Sequence, residues 1–129
     1  MNADNRTHAS TEELERATSC LDEARMLRTS GFPFGAVSRA YYGAFHATRA
    51  LLFSLGLEPK SHRAAINMLG EHFVKTGKLA PDLGRLVSHL QRDREDADYQ
   101  TGAVFTDEEA GTAIADANRF VEAARGLLA

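Results

Sequence analysis

Residues 38–56 read SRAYYGAFHATRALLFSLG, and this stretch decides the fold. Set at about 100° per residue, Tyr41, Ala44, Phe45, Thr48, Leu51, Leu52 and Leu55 fall in one arc about 120° wide. That arc is the core face of a helix predicted to run from about Pro33, which suits a first helical turn, to Leu55, with Gly56 ending it. A polar seam lies beside it, formed by Arg39, Tyr42, His46 and Arg49 at steps of three, four and three residues. Two arginines, a tyrosine and a histidine in a row suit a phosphate-binding or catalytic pocket. They equally suit a contact between helices or subunits, where Tyr and Arg are favoured.

The helical period recurs on both sides. Upstream, STEE at residues 10–13 has the form of a capping box, in which Ser10 accepts from the backbone N–H of Glu13. It opens a helix carrying Leu14, Ala17, Leu21 and Ala24 to about Thr29, and leaves residues 1–9 as a flexible tail. Downstream, Ser61 caps a third helix with Ala65, Ile66, Leu69 and Phe73. Pro81 and Asp82 open a fourth with Leu83, Leu86, Val87 and Leu90. TDEE at residues 106–109 is a second capping box, ahead of Ala113, Ile114, Ala117, Phe120 and Val121. No stretch alternates as a half-buried strand would. The expected fold is all-α: a five-helix up-and-down bundle, four helices forming the core with a fifth added, over residues 10–129 as a single domain.

Composition narrows the function. A chain of 129 residues can bury a core without staples, and its one cysteine, Cys20, excludes an internal disulfide and suits a reducing compartment. The net charge of −3 gives no general attraction to nucleic acid or acidic membranes, so either partner would need a local basic patch. The polar opening MNADNRTHAS lacks the apolar run of a signal peptide, and no stretch is long enough to span a membrane, which predicts a cytoplasmic protein. His8, His46, His62, His72 and His89 show no metal-ligand spacing, and there is no glycine-rich phosphate loop. Neither a metal nor another cofactor is expected.

Charge then falls on the wrong face. In HLQRDREDADYQ, residues 89–100, Arg94 comes four residues after Leu90 and seven after Val87, on the axis of the apolar stripe. A buried arginine needs a partner or a polar cleft. One reading pairs it with Asp98, one turn on, as a semi-buried ion pair covered by Tyr99. The other opens a groove in which the Arg94 fork holds a phosphate, while Asp98 and Tyr99 move or orient a proton. Lys60, His62 and Arg63 lie at the start of the third helix, where free N–H groups favour anions, although an ordinary solvated helix start explains them as well.

Three segments together carry a resemblance: SRAYYGAFHATRALLFSLGLEPKSH at 38–62, GEHFVKTGKL at 70–79 and DREDADY at 93–99. In that order and separation they resemble the HEPN-domain proteins of the small prokaryotic type often paired with a minimal nucleotidyltransferase, over about residues 10–128. The resemblance implies a five-helix bundle that dimerises and, in many members, an Arg-x4-6-His motif acting as a metal-independent ribonuclease across the dimer cleft. It also implies a toxin–antitoxin setting, in which the partner silences the toxin by modifying the tyrosine after the motif. Arg94 or Arg92 stands at the motif arginine and Tyr99 at the tyrosine, which makes Tyr99 the expected modification site. The motif histidine is missing, and Asp98 occupies the place before Tyr99. Histidine suits both proton transfers because it titrates near neutrality, whereas an ionised aspartate is a base but a poor acid. The sequence therefore supports a partner-binding or RNA-facing module using Arg39, Tyr42, Arg49, Arg92, Tyr99, Lys60 and His62. The alternative is a divergent ribonuclease using Arg94 with Asp98 or His46.

Overall fold

A computed structural model describes residues 2–99 and 104–129. Five helices follow one another: α1 (Ala3–Thr29), α2 (Pro33–Ser54), α3 (His62–Leu69), α4 (Pro81–Tyr99) and α5 (Asp107–Leu128). The described residues contain no strand. The expected all-α bundle is the fold.

Helix α2 is the hub, packed against all four others. Its predicted face is buried as far as Leu52, with Tyr41, Ala44, Thr48, Leu51 and Leu52 fully enclosed. Leu55, expected on that face, is exposed instead, because α2 has already ended and Gly56 turns the chain away at φ 77°. Burial of so continuous a face supplies most of the stabilisation, about 1.5–3 kcal/mol for each large side chain enclosed. Helices α1 and α2 approach closely where Gly43 lies against α1. A Cβ there would stand 2.9 Å from Leu21 Cδ2 and 3.4 Å from the Ala17 carbonyl oxygen.

Helix α1 departs from expectation. It starts about two turns before Ser10, capped by Asn2, whose side chain accepts from the Asn5 N–H at 2.8 Å. Residues 3–9, expected as a tail, are its first turns. Ser10 is no cap. Its hydroxyl donates to the Ala50 carbonyl of α2 at 2.8 Å, in the buried contact between the helices. Asn2 provides an earlier acceptor for the first free N–H groups, so the Ser10–Glu13 pattern is freed for tertiary contacts.

The remaining caps form where the sequence places them. Ser61 accepts from the Ala64 N–H at 2.9 Å, and Thr106 and Glu109 satisfy each other's backbone N–H groups at 3.0 Å. Helix α3 widens into a π-helical turn over Gly70–Val74, which carries Phe73 into the core. Arg28 reaches from the end of α1 to both carboxylate oxygens of Asp107 at 3.0 Å, joining the start of α5. Among the described residues, no helix is long and apolar enough to cross a membrane.

Candidate functional site

Arg94 is carried into the bundle by the stripe it shares with Val87 and Leu90, and only 7% of it is exposed. Its guanidinium carbon lies 5.3 Å from the centre of the Tyr41 ring, 5.7 Å from Tyr42 and 5.8 Å from Tyr99. Cation–π attraction to three rings is strongest when water is excluded. One nitrogen, Nη2, donates to Gln91 Oε1 at 3.2 Å, and Nη1 stands 3.5 Å from Asp98 Oδ2. The Nε group is buried with no hydrogen-bond partner among the described residues. The Arg94–Asp98 pair read from the sequence is therefore present, but it is loose. The aromatic rings and Gln91 hold the guanidinium at least as firmly.

Behind Arg94 stands a contact that periodicity does not show. Tyr41 is fully enclosed, and its hydroxyl meets Nδ1 of His62, the first residue of α3, at 2.5 Å. Burial pushes the Tyr41 phenol up, so it stays protonated and donates. His62 consequently accepts at Nδ1 and carries its proton on Nε2. Its ring stacks on Phe45 at 4.2 Å. Burial, followed by the positive charges of Arg94, His46 and Arg49, lowers its pKa and favours the neutral ring. The clue in the sequence was Tyr41 itself, since a buried tyrosine hydroxyl usually finds a polar partner.

The polar seam of α2 is only partly gathered at this cluster. Tyr42 is shared, lying 5.0 Å from the Arg39 guanidinium as well. His46 turns instead to α1, where Nδ1 stands 2.6 Å from Glu13 Oε2. Arg49 Nε lies 3.3 Å from the other Glu13 oxygen, and its guanidinium covers Phe53 at 4.9 Å. Burial raises the Glu13 pKa, but the His46 hydrogen bond and the Arg49 charge outweigh it, so the carboxyl is held below its ordinary range. His46 is thus bound to a partner on α1. Glu13 was missed because its sequence context resembles a cap.

Arg92 and Lys60 are exposed and take no part in these clusters. Tyr99, by contrast, covers Arg94 with its ring while 75% of it remains exposed. The site is therefore a buried cation under an exposed phenol.

A profile of the HEPN domain matches residues 11–127, and the chain belongs to that family. It is 38% identical over 109 residues to a Methanocaldococcus jannaschii protein named "Putative toxin", spanning 84% of this chain and 81% of that one. A second "Putative toxin" of the same organism is 33% identical over 97 residues, spanning 75% and 66% of the two chains. A Thermotoga maritima "UPF0332 protein" is 33% identical over 113 residues, covering 88% of this chain and 86% of its own.

Proposed function

We propose that this chain is a toxin-type HEPN module that dimerises and works with a nucleotidyltransferase partner, with Tyr99 as the group the partner modifies. The observation that carries this reading is the state of Arg94: buried and faced by three tyrosine rings, one of which, Tyr99, is 75% exposed. A cation in that position is poorly placed to grip a scissile phosphate, whereas the phenol above it is open to an incoming enzyme. The names of the M. jannaschii relatives support the toxin setting.

The competing reading is a divergent metal-independent ribonuclease, with Arg94 on the phosphate and Asp98 as base. One observation favours it: the Asp98 side chain is one-third exposed (32%) and 3.5 Å from Arg94. Two measurements decide. Mass spectrometry after incubation with a minimal nucleotidyltransferase and ATP should find a nucleotidyl adduct that Tyr99→Phe loses. An RNA-cleavage assay paired with a thermal melt should show no cleavage by wild type and a much lower melting point for Arg94→Ala. Cleavage by wild type that disappears in a normally melting Arg94→Ala protein would overturn the proposal and establish the nuclease.

A further inference from the structure

A cleft of about 420 Å³ lies between α1 and α2, lined by Arg16, Ser19, Cys20, Glu23, Arg39 and His46. We propose that it is a binding site for a phosphate group, separate from the Arg94 cluster and independent of the partner reading above.

Charge comes first. Arg16, Arg39 and Arg49 stand in or directly behind the cleft, against the carboxylates of Glu13 and Glu23. The balance is one positive charge before His46 is counted, in a chain whose net charge is −3. An anion drawn to this protein meets a favourable local field here despite the overall repulsion.

Arg39 is fixed in direction and only loosely paired. Its guanidinium rests on the Tyr42 ring at 5.0 Å. Nη2 donates to the Cys20 sulfur at 3.0 Å, and a neutral thiol is a weak acceptor. Burial raises the Cys20 pKa despite the opposing Arg39 contact, which keeps the thiol neutral. Nε is buried without a hydrogen-bond partner among the described residues, and the nearest carboxylate oxygen, Glu23 Oε2, is 3.6 Å away. That is too long for a hydrogen bond. Nε is enclosed, so it is the exposed part of this stacked, loosely paired guanidinium that is suited to a phosphate oxygen.

His46 completes the site. The ionised Glu13 carboxylate can only accept, so the 2.6 Å contact places the ring proton on Nδ1. Nε2 is the ring nitrogen left to the cleft. A histidine held through Nδ1 by a carboxylate is fixed in orientation beside the cleft. Arg16 and Ser19 are exposed at the mouth and can close on the ligand without rearranging the bundle. The volume accommodates a phosphate with part of its ester, within the range of small-ligand pockets.

Isothermal titration of the full chain with inorganic phosphate, with AMP and with a single-stranded oligoribonucleotide lacking a terminal phosphate tests this. At least one probe should bind, and which one binds separates a free phosphate, a nucleotide and an RNA backbone as the source. Arg16→Ala changes an exposed residue, so its thermal melt should match wild type while affinity falls about tenfold. His46→Gln should weaken binding in the same sense. Absence of binding by all three probes, or binding that Arg16→Ala and Arg39→Gln leave unchanged, would overturn the site.

Discussion

Arg94 and Arg39 both lie near the same Tyr42 ring, at 5.7 and 5.0 Å from its centre, yet the structure uses them differently. The Arg94 side chain is 9% exposed and enclosed by tyrosines and its own helix, whereas the Arg39 side chain is 33% exposed beside an open cleft. Depth decides what an arginine does. Enclosed, its charge joins the packing of the bundle; at the rim, it stays partly in contact with solvent. The two histidines differ in parallel. His62 accepts from a tyrosine, while His46 donates to a carboxylate, so they present opposite ring nitrogens to their surroundings.

The largest expected effect is on Arg94. Arg94→Ala should destabilise the fold by about 2–4 kcal/mol, through lost ring contacts and the cavity left beside Val87 and Leu90. The melting point should fall on the order of 10 °C. Arg39→Ala should cost no more than about 1 kcal/mol, because its charge is partly solvated. Equal losses in the two thermal melts would erase the distinction between enclosed and rim arginines.

Next comes the α1–α2 contact on which the cleft depends. Gly43→Ala should cost about 1–3 kcal/mol by overpacking against Leu21 and Ala17. Ser10→Ala should lose about 1 kcal/mol with the buried bond to Ala50. Chemical denaturation measures both, and a neutral Ser10→Ala would mean that this bond does not hold the helices together.

The smallest effect is a pH dependence. The folded-state pKa of His62 lies below its ordinary value of 6.5, so the unfolded chain binds more protons between those two values and stability rises with pH there. The contribution is complete above about pH 6.5 and is lost as pH falls toward the folded-state value. Glu13 behaves separately: its lowered pKa stabilises the fold above 4.5, and that contribution is lost at more acidic pH. Urea denaturation across pH 5–8 should show a slope that His62→Gln removes. A slope surviving that change would assign it to another group.

Much of this was legible in the sequence. Five helices, the caps at Ser61 and Thr106, and the misplaced charge at Arg94 all follow from residue spacing, because a helix repeats its own face within a few residues. STEE misled for the same reason. A serine three residues before a glutamate is locally a cap, but whether the helix begins there depends on what lies upstream, and Asn2 had already capped it.

The sequence by itself determined the elements, their inward faces and the presence of an arginine among apolar residues, since these depend on neighbours a turn away. Tertiary structure alone decided that Glu13 would hold His46, that Tyr41 would find His62, and that three tyrosine rings would face Arg94. Each of those contacts joins different helices or depends on how deeply they pack, and no local period encodes depth.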